Sequence, residues 1–241
     1  MAMPHPLPTT AATPAHAPDP AGSAAFYDVD GTLVSVNIVH TYAYYVANHP
    51  SLRRRAFGFA TMLASIPAYL AADFYSRKFF NEWFYKNYAG FTEDRLWVIG
   101  EEIFENVIKP SLFPGAVDLI RRSRAAGVRQ VLVTGSLDFV TRPLARYLGA
   151  DDYGANRLEI VNGVATGRLV GTLLAGAHKS AWVRQYAKEH GLDLQQCWAY
   201  ADSASDLPML SIVGRPCAVN PDLQLRAAAR DYQWPVLDLK D

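Results

Sequence analysis

Short apolar runs ending in polar residues recur along the chain, and they alternate with segments whose apolar residues return every three or four positions. The first pattern predicts buried strands and the second amphipathic helices. Phe26, Tyr27 and Val29 form such a run, broken at Gly31 and Thr32 as by a turn. Val128 to Thr134 reads as a second buried strand ending in a Gly-containing turn, and QQCWAY before Asp202 as a third. Between them, Pro114 starts a helix stopped by Gly127. The segment from Leu137 is helical up to Gly149, with Pro143 expected to kink it or shift its start. RLEIVNGVATGRLVG predicts a hairpin around Asn162-Gly163. Residues 178–191 predict another helix, ended by Gly191, and DLPMLSIVG, RPCAVN and PDLQLRAAARDY continue the alternation. Strands alternating with helices imply a parallel sheet covered on both faces.

Two stretches depart from that rhythm. Residues 1–24 are rich in Pro, Ala and Thr and read as a flexible tail; without Lys, Arg or an apolar core they do not resemble a signal peptide. Residues 36–112 are crowded with Tyr, Phe and Trp at helical spacing and read as an inserted helical cap. The core is then 25–35 plus 113–241, which makes the fold class α/β: a Rossmann-like parallel sheet core with an inserted helical cap domain. Within the cap, Ala56 to Ala72 carries no charge and follows Arg53, Arg54 and Arg55. At 1.5 Å per residue this run reaches roughly 26 Å, short for a bilayer, and Pro67 interrupts it. It reads as buried cap helices, with a membrane-surface helix as the other reading.

Composition narrows the function. Lys plus Arg equals Asp plus Glu, 23 each, so no charge excess points to nucleic acid. Cys197 and Cys217 fit no disulfide framework or zinc spacing, and they suggest small buried thiols in a reducing, cytoplasmic setting. The histidines, His40, His49, His178 and His190 among them, have no ligand spacing either.

Ligands of open parallel sheets bind beyond the carboxyl ends of the strands. Asp28 and Asp30 lie there, as do Thr134, Gly135 and Ser136, and then Asp202 and Asp206; Lys179 lies in the first turn of a helix. Carboxylates, a hydroxyl, turn amides and one cation suit phosphoryl transfer. One acid attacks phosphorus, Thr134 and Lys179 hold phosphoryl oxygens, and a second acid moves the proton. An oxygen-ligated divalent cation, Mg2+ by its usual partners, neutralises the charge. Ser136 also reads as the N-cap of the next helix.

DVDGTLV at 28–34, VLVTGS at 131–136, Lys179 and YADSASDLPML at 200–210 resemble the four ordered motifs of the haloacid dehalogenase superfamily, closest to its phosphoserine-phosphatase-like branch. The resemblance implies Asp28 as nucleophile and Asp30 as general acid/base. It also implies Mg2+ held by Asp28, the Asp30 main-chain carbonyl and Asp202, with Asp206 supporting the metal water or orienting Lys179. Asp30 favours a phosphomonoesterase over the family's dehalogenases and ATPases. Two positions depart from the pattern: Ala201 replaces the usual glycine, and Asn37 stands where phosphoserine phosphatases carry a glutamate for the substrate amine. The expected substrate is therefore a small-metabolite phosphomonoester. A lipid phosphate at a membrane surface is the alternative, followed by a phosphotransferase or a non-catalytic phosphate binder.

Overall fold

The computed structural model describes residues 22–37, 40, 41, 43, 44 and 85–240. Residues 1–21 of the expected tail (1–24), the apolar run at 56–72 with its preceding arginines, and most of the expected cap lie outside the described residues, while Ala24 already belongs to a buried strand.

Strand β1 (Ala24–Tyr27) is buried along its whole length, and its alternate side chains feed two cores. Ala25 and Tyr27 face one core with Leu132, while Ala24 and Phe26 face the other with Val131 and Val133. This is the signature of a strand covered on both sides. Burying the Phe26 side chain alone stabilises the fold by about 2–3 kcal/mol. Five further strands join β1: β2 (Arg129–Leu137), β3 (Asp152–Asn156), β6 (Trp198–Ala201), β7 (Arg215–Val219) and β8 (Val236–Leu237). The order is β3-β2-β1-β6-β7-β8, every pair parallel. The chain thus builds outward from β1 to β3 and then crosses back to lay β6 on the other side of β1. That reversal opens a crevice at the carboxyl ends of β1 and β6.

Helices α1 (Glu93–Ile103), α2 (Pro114–Ala125) and α3 (Asp138–Leu148) fill the Tyr27 side with residues such as Ile99, Leu119 and Leu144. On the Phe26 side lie α4 (Ala177–Glu189), the single turn α5 (Leu207–Leu210) and α6 (Leu223–Asp231), with Val183, Met209 and Leu225. The stop signals act where expected: Gly127 and Gly149 are left-handed, at φ 78° and 67°. The hairpin β4 (Leu158–Val161) and β5 (Val164–Leu169) turns on Asn162 and Gly163, both left-handed as a two-residue type I′ turn requires. Its second strand also pairs with residues 90 and 91. The Gly90 N–H donates to the Ala165 carbonyl at 2.9 Å, and the Ala165 N–H to the Phe91 carbonyl at 2.7 Å.

Two expectations need correction. Pro143 neither starts nor ends α3; it lies buried inside the helix. Proline has no N–H to give to the carbonyl four residues back, which is Phe139. Gly100 of α1 packs so closely there that a Cβ on it would stand 1.9 Å from the Phe139 oxygen. The helix pair therefore meets closely at the point where the proline removes a helical bond. Second, β2 does not end at Thr134 but runs to Leu137, and its register against β3 shifts between Val133 and Leu137. The expected turn is a bulge in a continuing strand.

Candidate active site

Asp28 is the first residue beyond β1, and its N–H extends the ladder to the Tyr200 carbonyl of β6 at 2.9 Å. Asp202 is the first residue beyond β6, so adjacent parallel strands deliver the two acids side by side. Between them the chain reverses at Gly31, with φ +88° and its N–H donating to the Val34 carbonyl at 2.8 Å. Thr32, fully buried, sets its hydroxyl 3.1 Å from Asp28 Oδ2 and 3.2 Å from Asp202 Oδ1. A Cβ at Gly31 would lie 2.1 Å from Asp202 Oδ2. Gly31→Ala should therefore lower the melting temperature and lose most activity, since the left-handed φ alone strains an alanine by about 1 kcal/mol or more. Thermal melting and turnover check this; a variant with native activity would show that Asp202 has room to move.

Lys179 comes in from the first turn of α4, following Gly176, whose φ is +52°. Its Nζ donates to Asp28 Oδ1 at 2.5 Å and lies 3.0 Å from the Asp206 carboxylate, all three side chains buried. Burial alone would push the ammonium down, but the carboxylates of Asp206 and Asp28 outweigh it and hold the lysine above its usual range. One carboxylate oxygen each from Asp28, Asp202 and Asp206 lies within 4.8 Å of the others. Asp202 is pushed up to about 8, first by burial and then by the charge of Asp28. Acids crowded in this way, offering only hard oxygen donors, fit a small divalent cation such as Mg2+.

Asp30 faces elsewhere. Its Oδ2 accepts from Ser136 Oγ at 2.9 Å and from Thr134 Oγ1 at 3.3 Å. Its carboxyl is pushed up to about 6 by burial and then by Asp28, with the Ser136 bond pulling the other way. Ser136 thus is not the helix cap considered above: Leu137 caps α3 without a side-chain bond. The Ser136 N–H donates to Thr134 Oγ1 at 2.9 Å. Gly135, between the two, has room for a Cβ, whose nearest neighbour would be the Leu174 oxygen at 3.5 Å. The Asn37 carbonyl accepts from the His40 N–H at 3.0 Å, and its Oδ1 lies 2.9 Å from His40 Nδ1.

The sequence reading missed four residues. Asp222 caps α6 through the Leu225 N–H at 2.7 Å. Its other oxygen takes the Ala204 N–H at 3.0 Å, and its own N–H donates to the Asp202 carbonyl at 2.8 Å, so it holds the acid's loop from behind. Asn220 reaches the Gly31 carbonyl at 3.5 Å. Tyr85 and Asn156 meet at the Gly135 carbonyl. A cap signature at Asp222 was legible in the sequence; nothing marked the other three.

An acid pair, a buried lysine and a hydroxyl-bearing bulge around the switch point of a parallel sheet make a site suited to phosphoryl chemistry in an α/β fold. A profile of haloacid dehalogenase-like hydrolases matches residues 25–211. A phosphoserine phosphatase of Mycobacterium tuberculosis is 34% identical over 226 residues, spanning 90% of this chain and 71% of that one. Among solved structures, a protein of unknown function from Bordetella pertussis Tohama I shares 31% identity with a TM-score of 0.81, covering 90% of this chain and 98% of that one. A phospho-aspartyl intermediate analogue of phosphoserine phosphatase has the same fold at 19% identity, with a TM-score of 0.65 over 90% and 92% of the two chains. The chain belongs to the haloacid dehalogenase-like hydrolases, in their phosphoserine-phosphatase-like branch, and is a phosphoric monoester hydrolase.

Proposed function

We propose that this enzyme hydrolyses the phosphomonoester of a small metabolite with Mg2+, through an aspartyl-phosphate on Asp28. The observation that carries this reading is the different surroundings of two acids two residues apart. Asp28 is ion-paired with Lys179 at 2.5 Å, whereas Asp30 lies against two hydroxyls with its carboxyl pushed up to about 6. Environments that separate a pair of carboxyls in this way mark one as nucleophile and the other as acid. Asp28 attacks phosphorus while Asp30 gives its proton to the departing ester oxygen. Asp30, now charged, takes a proton from water as that water attacks the phosphorus of the acyl-phosphate, releasing inorganic phosphate and restoring Asp28. Lys179 and Thr134 hold phosphoryl oxygens throughout, with the Gly135 N–H beside them. Asp28, Asp202 and the Asp30 main-chain carbonyl, beside Asp206, would hold Mg2+, which would supply charge neutralisation.

The proton role has a pH signature. The first step needs protonated Asp30, so kcat/KM falls as pH rises through the Asp30 pKa. The Ser136 hydroxyl stabilises the charged form, and Ser136→Ala should therefore move that limb to higher pH. A pH–rate profile in which the limb stays in place or moves down would sink the assignment.

For the substrate, the relative's name places phosphoserine on the panel, while Asn37 offers no carboxylate to a substrate ammonium. The test is phosphate release with and without Mg2+ from phosphoserine, sugar phosphates, histidinol phosphate and a short-chain lipid phosphate. A selective, Mg2+-dependent soluble hit supports the reading; turnover of the lipid alone contradicts it. Among the described residues no helix is long and apolar enough to cross a membrane.

A further inference from the structure

Residues 134–136 overhang the sheet. Pairing of β1 with β2 ends at Tyr27 and Leu132, and β3 changes register between Val133 and Leu137. The polar groups of such a bulge need partners from outside the ladder. The Gly135 carbonyl has two: Tyr85 Oη donates at 2.6 Å and Asn156 Nδ2 at 2.7 Å. The N–H at the other end of the same peptide, on Ser136, donates to Thr134 Oγ1 at 2.9 Å. The peptide is thus clamped at both ends. With one lone pair of Thr134 Oγ1 engaged, its single hydrogen points away from Ser136, and here it is donated to Asp30. Were the peptide to turn, that direction would be lost.

We infer that Tyr85 and Asn156 are positioning residues for phosphate binding: by holding the Gly135 carbonyl they aim the Thr134 hydroxyl at the phosphoryl group. The inference rests on the phosphatase reading of Thr134. Both side chains are buried, Tyr85 fully and Asn156 to 4% exposure. Asn156 Oδ1 also accepts the Leu174 N–H at 2.8 Å, on the segment that leads into α4 and Lys179. One amide thereby fixes the bulge and the approach to the lysine together.

The test uses the full chain with Mg2+, p-nitrophenyl phosphate as substrate and inorganic phosphate as competitive inhibitor. Tyr85→Phe removes one hydroxyl. It should lower kcat/KM about tenfold and raise the phosphate inhibition constant by a similar factor, as expected for a bond that preorganises a donor without touching substrate. In a Thr134→Val background the same change should cost less than about twofold, because the residue through which it acts is gone. Asn156→Asp keeps the acceptor for Leu174 but faces the Gly135 carbonyl with a second acceptor. It should reproduce the kinetic pattern, and it serves if Tyr85→Phe folds poorly. A purely structural role would lower the melting temperature and leave both constants of the folded enzyme unchanged, which overturns the inference. So does a full tenfold loss in both backgrounds. If Thr134→Val itself is silent, the reading of Thr134 as a phosphate ligand fails as well, a result distinct from a silent Tyr85→Phe beside a damaging Thr134→Val.

Discussion

Asp28→Asn should abolish turnover, by about 10⁴-fold or more, while leaving the fold intact. An amide nitrogen has no electron pair to offer phosphorus, and the amide oxygen is a far weaker nucleophile than a carboxylate. The fold survives because the substitution is isosteric and Lys179 retains Asp206 within 3.0 Å. It even relieves the site: the Asp28 charge is the second cause, after burial, that pushes Asp202 up to about 8. The metal-free variant should therefore melt no lower than the parent. Turnover and thermal melting, measured together, decide the matter. Activity within tenfold of the parent would remove Asp28 from the nucleophile's role, and inactivity with a collapsed fold would leave its chemistry to be tested by a milder change.

Lys179→Met should be the most destabilising change among the site residues. It leaves Asp28 and Asp206 buried without their cation, and breaking a buried pair from one side typically costs about 3–5 kcal/mol. For a chain of this size that corresponds to a fall of about 6–20 °C in melting temperature. Activity should vanish too, since the phosphoryl oxygens lose their cation. Electrostatics and packing separate in the double variant: adding Asp28→Asn to Lys179→Met should recover part of the stability without recovering activity. If the double variant is no more stable than Lys179→Met, the loss comes from packing and the charge account fails.

How much of this was legible in the sequence depended on how locally each feature is encoded. Asp28, Asp30 and Gly31 sit within four positions, and Asp202 and Asp206 within five, so their chemistry shows in the order of residues alone. The type I′ hairpin was readable for the same reason, because Asn162 and Gly163 carry its whole requirement. Asn156 and Tyr85 were not, since an asparagine ending a short strand and a tyrosine among many aromatics look ordinary. Their meaning lies in a carbonyl 21 and 50 residues away. The bulge at Thr134 to Ser136 was read as a turn because Gly135 suggested one; only the register against β3 shows the strand continuing. Pro143 misled for a related reason. Its tolerance inside α3 goes with a glycine on a different helix, Gly100, beside the carbonyl that proline leaves without its helical bond.

The measurement that goes most directly to the central claim is acid-quenched capture of the covalent intermediate. The full chain is mixed with Mg2+ and a turned-over phosphomonoester, quenched within milliseconds, and mapped by peptide mass spectrometry. A phosphoryl group on the peptide carrying Asp28, absent from Asp28→Asn and accumulating when Asp30 is replaced by asparagine with a good leaving group, is the expected result. Rapid phosphate release with no label on Asp28, or with label on another residue, would contradict the mechanism.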